Sequence, residues 1–592
     1  MKGMVCRTAG LLVLPRLLLA AACLLLVRQD AGAPGQHAAV PVTTSVSGTA
    51  IRRPRSGPLP SPLPIRANDA ARFLAQATFG PSLADIEYLR QRGYQRWLNE
   101  QFAMPASYQS PYLDAVPFGQ GYEGQRLRTE AWFLHALGGP DPFVPAIVHR
   151  DQLRQRVAFA LSEIFVVSDR HDFLFPQPYA MAGYYDVLVR NSLGNYRQLL
   201  EEVTLHPAMG LYLSMLGNQK PDPTRNVRPD ENFAREILQL FSVGLVRLNR
   251  DGSPLLDGQG QPIPTYDQFT VKGFAHAFTG WSFAGCGHYP SCWFNDFDAP
   301  AWRMPMTPYP AYHASVEDKQ LLVYPGVALP GGVLPGGGSA QADLDAALDN
   351  IFHHPNVGPF IARQLIQRLV TSNPSRGYVA RVAARFNNNG VGVRGDMKAV
   401  VRAILLDREA RQPGAHPHLG KVREPILRLT NLWRALDAGT ESGRIEIWDP
   451  QEYLGQAPLR APSVFNFFSP SYKPIGELSE RGLFAPELQL ATDFQLPITN
   501  DALGDAVYLN YIRGPQGGDV ALDLDRDAPL AANPDALLDR YDLLFFSGRM
   551  SSRTRQILLA HLEATPNGDG GRDRVREALY LIVNSPEYTV QK

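Results

Sequence analysis

Apolar residues recur at three- and four-residue steps along most of this 592-residue chain, which is the period of an amphipathic α-helix. The densest example begins at Pro229 and Asp230, where the Asp230 carboxylate can cap the free N–H groups of a helix. Its apolar positions are Phe233, Ala234, Ile237, Leu238, Phe241 and Leu245. We expect this helix to end at Gly244, because glycine readily adopts the left-handed conformation that closes a helix.

A second helix is predicted after a loop rich in glycine and proline. It begins at Thr265, with Gln268 three residues later as in a capping box, and ends at Gly280. Its apolar positions are Val271, Phe274, Ala275 and Phe278. The same period predicts further helices at about 68–102, 153–167, 184–205, 343–406, 535–563 and 572–584.

Between about 246 and 345 the helical period weakens. Asp251-Gly252 and Asp257-Gly258 are typical of tight turns and predict a hairpin. The sequence therefore predicts a mostly α fold with a multi-helix, bundle-like architecture and a loop-rich insert that holds a small β-hairpin. A segment rich in proline and aromatic residues at 450–476 is interpreted as packed irregular structure, with the lining of a cleft as the alternative.

The first 33 residues have the pattern of a secretory signal peptide. Basic residues precede the apolar run 17–27, and Ala31-Gly32-Ala33 fits a cleavage site. An uncleaved anchor is the alternative, if Pro15 and Arg16 are tolerated in a longer run. Residues 34–65 are rich in proline and serine without an apolar period, so we predict a disordered linker before a helical domain at 66–592. The protein is thus expected to be exported, to the periplasm, the outer surface or the extracellular space.

Charge and cysteine content narrow the class of protein. The 57 basic residues equal the 57 acidic ones, which argues against a nucleic-acid or anionic-membrane partner. After signal removal no segment approaches the roughly 18 apolar residues of a membrane span. Cys286 and Cys292 then remain, and an exported chain with two nearby cysteines predicts a disulfide. A metal site with His288 is the alternative, although this cysteine spacing is unusual for zinc.

The first of the two helices also carries the candidate chemistry. Glu231 and Arg235 are four residues apart, as are Asn232 and Glu236, so each pair can interact on one helix face. One interpretation is a structural network that ties two antiparallel helices together, and another is a solvated face. The catalytic interpretation makes Glu236 an acid or base and Arg235 an anion clamp, with Asn232 and His313 positioning a substrate.

Several long segments, in order along the chain, resemble one large bacterial family, catalogued as domain-of-unknown-function family 1800. They include ARFLAQATFGPS (71–82), LRQRVAFALSEIFVVS (153–168), GKVREPILRL (420–429) and APSVFNFFSPSY (461–472). The resemblance covers roughly residues 66 to 590. It implies a mostly helical exported protein of unestablished activity. It also implies a possible partner, an exported protein similar to alkaline phosphatases and sulfatases that is encoded nearby.

The chain departs from the family pattern close to the candidate site. Asp230-Glu231-Asn232 stands where Asn-Glu-Asn is expected, Phe241 where some members have histidine, and His276 where arginine is usual. We find no nucleophile elbow, zinc-protease, phosphate-loop, dinucleotide or haem motif, and we predict no cofactor or metal. Two functions stay open. The favoured one is a binding or accessory protein for a surface polymer or an exported partner, and the other is a polymer hydrolase that uses Glu236.

Overall fold

The computed structural model describes residues 65–285, 299–412, 414, 416–447, 449–509 and 520–592. The chain from Leu63 to Lys592 forms one compact unit. Within the described residues there are 24 helices and only short antiparallel strand pairs, with 53% of the structure helical. The predicted mostly α fold with hairpins in a loop-rich region is confirmed.

The N-terminal part of this unit consists of helices joined at glycine, proline and short polar turns. They are α1 (Ala67–Ala77), α2 (Leu83–Arg92), α3 (Tyr94–Ala103), α4 (Gln109–Ala115), α5 (Gly121–Leu137), α6 (Gln152–Ser162), α7 (Pro178–Asn191), α8 (Tyr196–Thr204) and α9 (Pro207–Tyr212). Ser82 caps α2 by accepting a hydrogen bond from the Asp85 N–H, and Gly93 ends that helix in a left-handed conformation. The predicted helical segment 184–205 is divided, and Gly194 lies in the break between α7 and α8.

Helix α10 (Asn232–Gln239) precedes the loop-rich region, and α11 (Gln268–Ala277) lies within it. Strand β1 (Trp281–Ser282) pairs with β2 (Thr307–Pro308), and β3 (Lys319–Gln320) pairs with β4 (Val333–Leu334). Between the two helices, Asp251 and Asp257 each accept hydrogen bonds from backbone N–H groups within their own turns. Both predicted turn signals therefore form turns.

The boundaries of the two central helices differ from the prediction. α10 ends at Gln239, and Gly244 closes the following turns by donating its N–H to the Leu238 carbonyl. Because the chain has left the helix by then, Leu245 is 58% exposed and not part of the buried stripe. α11 begins at Gln268 and not at Thr265, because the Asp267 carboxylate caps the Thr270 N–H.

The C-terminal half is again helical, and its last strand pairs with the strand Lys421–Val422. The helices are α12 (Ala340–His353), α13 (Val357–Leu369), α14 (Arg376–Asn387), α15 (Met397–Leu406), α16 (Arg408–Arg411), α17 (Pro425–Ala435), α18 (Pro450–Leu454), α19 (Glu477–Glu480), α20 (Gln495–Tyr508), α21 (Pro534–Tyr541), α22 (Ser552–Ala564), α23 (Arg572–Val583) and α24 (Pro586–Thr589). Strand β5 (Lys421–Val422) pairs with β6 (Val590–Gln591), which holds the chain end against the start of α17.

Three predictions lie outside the described residues. They are the signal peptide at 1–33, the linker at 34–65 except its last residue, and the Cys286–Cys292 disulfide. Each of them stays a prediction. Among the residues that the structure does describe, none of the helices combines the length and apolarity needed to cross a bilayer.

Candidate functional site

A polar network joins α10 to α11 on a partly exposed face. The Arg235 Nη2 lies 3.0 Å from the Glu231 Oε2, and the Gln268 Nε2 donates to the same carboxylate oxygen at 2.6 Å. The Arg235 and Glu231 side chains are 41% and 29% exposed. The exposed Asn232 donates its backbone N–H to the Asp230 carboxylate, which is a helix-capping contact. This network links the two helices as one interpretation predicted, but at the surface and not inside.

Glu236 lies on the buried side of the same helix. It is 7% exposed, and its Oε2 has no hydrogen-bond partner among the described residues. Burial raises the pKa of this carboxyl, against the opposing effect of the Arg235 charge. The Tyr266 hydroxyl is also buried without a partner in the described part of the chain, and burial, with the nearby Glu236 charge, raises its pKa to about 12. A carboxyl in this setting is suited to hold and donate a proton.

His313 belongs to a different, sealed cluster. Its Nε2 lies 3.0 Å from the Asp343 Oδ2, and its Nδ1 lies 2.9 Å from the Thr279 carbonyl oxygen. The Lys319 Nζ reaches the same Asp343 oxygen at 2.8 Å, and all three charged or titratable side chains are almost fully buried. Burial by itself would raise the pKa of Asp343, but the hydrogen bonds from His313 and Lys319 hold it below its usual value.

Glycine permits the close packing of this cluster. Gly280 has a φ of 84°, and a Cβ on it would lie 2.9 Å from the His313 backbone nitrogen. Because both nitrogens of His313 face Thr279 and Asp343, His313 does not complete a set with Glu236 or Asn232. Asp343, in the first turn of α12, was not singled out from the sequence, which carries no local signal that relates it to His313.

A second buried cluster is formed by residues of the long family-like segments. Glu163, Glu424 and Gln456 lie together, and the Gln456 Nε2 donates to Glu424 at 2.8 Å and faces Glu163 at 3.3 Å. The two carboxyls hydrogen-bond to each other. Burial and the neighbouring Glu424 charge raise the pKa of Glu163 well above its ordinary value. Burial acts in the same direction on Glu424, but Lys421 and Arg156 hold the pKa of Glu424 below its ordinary value.

These buried charged groups bond to one another and to backbone carbonyl groups, as expected for a structural role. The Lys421 Nζ lies 3.2 Å from Glu424 and 3.1 Å from Glu487, and it donates to the Arg368 carbonyl. The Arg368 guanidinium donates in turn to the Glu163 carbonyl. Glu163 is the C-cap residue of α6 and Glu424 the N-cap residue of α17, so neither belongs to a helical apolar stripe that would mark it in the sequence as buried.

A surface cleft of about 310 Å³ lies elsewhere, beside α5. Its lining includes the aromatic rings of Tyr122 and Phe175 and the guanidinium groups of Arg126 and Arg460. Arg126 lies over the Tyr122 ring at 5.5 Å and Arg460 over the Phe175 ring at 5.6 Å. Both rings are more than a third exposed, so the cleft presents π faces and cations to solvent.

Two residues that line this cleft each have a buried polar atom without a hydrogen-bond partner among the described residues. The Arg460 Nη1 lies 3.4 Å from the buried Asp169 carboxylate, whereas its Nε is without a partner in the described ranges. The Gln451 Oε1 is likewise unpaired among described residues. Pro450, Gln451 and Arg460 come from the segment 450–476, for which the lining of a cleft was one of two interpretations. Neither Glu236 nor His313 lines this cleft.

One of three comparisons with known proteins gives a match. The profile of a family described as "Protein of unknown function (DUF1800)" matches residues 72–590, nearly the whole chain. A search of curated proteins and a search of solved structures each give no match. In the described part of the chain, no group of three or more His, Cys, Asp or Glu side chains is arranged to hold a metal ion.

Proposed function

The chain belongs to the DUF1800 family of proteins of unknown function, and we propose that it is an exported binding or accessory protein that recognises an acidic polysaccharide at its surface cleft. Export rests on the signal-like pattern of residues 1–33. The observation that carries the binding proposal is the pairing of two exposed aromatic rings with two arginines around one cleft of about 310 Å³.

The chemistry of this lining selects the ligand class. An exposed aromatic ring packs against the apolar C–H face of a sugar. Arginine offers a planar fork of donors that matches a carboxylate or sulfate in a bidentate geometry. The volume is at the lower end of small-ligand sites, which begin near about 300 Å³. A cleft of this size accommodates one or two sugar units of a polymer that continues over the surface.

The distribution of the other charged groups supports binding over catalysis. The His313–Asp343–Lys319 cluster and the Glu163–Glu424 cluster are almost fully buried, and their polar groups contact one another. Among the described residues that line the cleft there is no histidine, and Asp449 is the one carboxylate. A retaining or inverting glycosidase needs a pair of carboxyl groups across the scissile bond.

The binding proposal is tested by titrating the chain with acidic and neutral polysaccharides in an isothermal calorimeter. Arg126→Gln combined with Arg460→Gln should weaken binding of the acidic polymers at least tenfold, because two charge-assisted contacts are lost. Arg225→Gln, at a 62% exposed arginine far along the chain, is the matched control and should leave binding unchanged. Equal affinity of the double variant and the wild type would refute the cleft as the binding site.

A hydrolase is the second candidate, and the isolated Glu236 carboxyl favours it. A general acid needs a carboxyl with a raised pKa, and burial raises the pKa of Glu236. Its unpaired Oε2 and the unpaired Tyr266 hydroxyl, both judged within the described residues, are polar groups that contribute no hydrogen bond to the fold. Arg235 and Asn232 lie on the same helix, within the reach of a substrate bound at the α10–α11 face.

Reducing-end release from the same polysaccharides tests this second candidate. If the wild type releases sugar, Glu236→Gln should lower the rate at least a hundredfold, in the range of general acid catalysis. Glu231→Gln is the control on the same helix, since its carboxylate is already bonded to Arg235 and Gln268. Unchanged release by Glu236→Gln would exclude this residue as the acid.

A further inference from the structure

A hairpin that follows α5 carries an apolar tip. The Asp141 N–H bonds to the Ile147 carbonyl and the His149 N–H to the Gly139 carbonyl, which pairs the two arms. Between them, residues 143–148 read Phe-Val-Pro-Ala-Ile-Val, and all six are exposed. Phe143, Val144, Ile147 and Val148 are 38%, 45%, 49% and 39% exposed. A run of six consecutive exposed apolar residues is unusual in a water-soluble surface and marks a contact site.

The first arm of this hairpin is anchored to the core through Phe143, a partly exposed residue of the tip. Its ring packs edge-on against the buried Tyr112 ring at 5.2 Å. The Tyr112 hydroxyl donates to Glu130 at 2.6 Å, and Glu130 is paired with Arg444 at 2.8 Å. The apolar tip is therefore presented on a fixed base.

Few backbone N–H groups of the tip need a hydrogen bond from water. Pro142 and Pro145 have no N–H group. The Asp141 carboxylate accepts the N–H groups of Phe143 and Val144, each at 2.8 Å, and the Ile147 N–H bonds to the Val144 carbonyl. Five of the seven residues from 142 to 148 thus place no unsatisfied donor in an apolar medium, where each such donor costs several kcal/mol.

Charge is arranged around the tip and not on it. Residues 142–148 contain no ionisable side chain, and Asp141 and the exposed Arg150 flank them at the base of the hairpin. The Asp141 carboxylate is bonded to the N–H groups of Phe143 and Val144. A cation at the position of Arg150 would meet lipid phosphates when the tip is immersed in the acyl region.

We propose that this hairpin inserts into the surface of a lipid bilayer and holds the protein at the membrane by its apolar tip. The occupant is lipid, and the site is separate from the polysaccharide cleft. Because the chain has equal numbers of acidic and basic residues, its attachment depends on apolar insertion and not on anionic lipid. Arg150 adds a small preference for phosphate headgroups.

Vesicle flotation tests the proposal with residues 34–592, a chain that lacks the apolar N-terminal run and keeps the compact unit intact. The wild type should float with phosphatidylcholine vesicles and with vesicles that also contain phosphatidylglycerol. Phe143→Ser combined with Ile147→Ser should lower the bound fraction at least tenfold on both. Val144→Asp, which places a charge at the tip, should do the same.

The control is Phe269→Ser combined with Val391→Ser, which removes two isolated exposed apolar side chains, 74% and 84% exposed, and should change binding less than twofold. All variants must show the wild-type circular dichroism spectrum and melting temperature. Wild-type protein that stays in solution with both vesicle types would overturn the proposal. So would tip variants that float like the wild type, or a tip that proves to drive self-association without vesicle binding in analytical ultracentrifugation.

Discussion

Two carboxyls that touch in the core should respond in opposite ways to the same substitution. Glu163 and Glu424 are 3% and 0% exposed, and they hydrogen-bond to each other. The raised pKa of Glu163 makes it the protonated partner, and the lowered pKa of Glu424 makes it the ionised one. Glutamine resembles a protonated glutamic acid in size and can donate to the same acceptor. Glu163→Gln therefore preserves the contact, whereas Glu424→Gln removes a needed charge.

The magnitudes follow from these contacts. Glu424→Gln leaves Lys421, which is 2% exposed, with Glu487 as its remaining carboxylate, and removes the charge that faces Arg156. Breaking a buried ion pair at one partner costs about 3–5 kcal/mol. The Arg368 Nε lies 3.5 Å from the Glu163 Oε2, but a protonated Glu163 is already neutral at this contact. Glu163→Gln therefore exchanges one neutral hydrogen bond for another, and such bonds contribute about 1 kcal/mol each. We expect it to change the free energy of unfolding by no more than about 1 kcal/mol.

Equilibrium unfolding in urea, followed by tryptophan fluorescence, measures both variants at the same pH. Glu477→Gln is the matched control on a side chain 73% exposed, and its effect should stay within about 0.5 kcal/mol. Similar destabilisation by Glu163→Gln and Glu424→Gln would refute the assignment of the proton. A larger loss from Glu163→Gln would reverse it.

The pH dependence gives a second check on the same pair. Above the ordinary glutamate pKa of about 4.3, the folded chain still holds the Glu163 proton that the unfolded chain has released. The stability that comes from holding this proton is fully present below the ordinary glutamate pKa. It is lost as the pH rises through the raised pKa of the folded state. Glu163→Gln should therefore lose less stability than the wild type as the pH rises above about 5. An identical pH profile would contradict the raised pKa.

Two further stability predictions concern the buried carboxyl groups of Glu236 and Asp343. Glu236→Gln should raise the free energy of unfolding at pH 8, by about 1.4 kcal/mol for each unit by which burial raises the carboxyl pKa, because the folded state no longer opposes ionisation. A loss above about 3 kcal/mol in urea unfolding would instead reveal an ion partner. Asp343→Asn should cost about 3–5 kcal/mol by leaving Lys319 buried without its carboxylate. Asp345→Asn, on the same helix at a 46% exposed side chain, should cost less than about 0.5 kcal/mol, and equal effects would refute the burial argument.

Local sequence chemistry predicted many of the helical segments, although not α5, α17 or α20. Caps and positive-φ glycines act within one turn of their own residue, as Ser82 and Gly93 do at the two ends of α2. Local sequence chemistry failed where two local signals competed. At the start of α11, Thr265 with Gln268 resembled a capping box, but Asp267 caps the helix and Gln268 bonds to Glu231 across to α10.

The candidate site shows the limit of sequence reasoning more sharply. The Glu231–Arg235 contact was predictable, since four residues on a helix return a side chain to the same face. Whether Glu236 faced Asn232 or the interior depended on how α10 rotates against its neighbours, and the structure buries it beside Tyr266. The contact of His313 with Asp343 could not be predicted, because nothing near His313 in the chain indicates Asp343.

The sequence by itself determined the fold class, the family and the positions of many of the helices, because periodicity, caps and long ordered segments are properties of neighbouring residues. Tertiary structure alone decided which charges from distant parts of the chain meet. Arg126 and Arg460 come to one cleft, and Glu163 and Glu424 come to one hydrogen bond, from distant parts of the chain. Such contacts depend on how the helices pack against one another, and the resulting burial sets the pKa of each group.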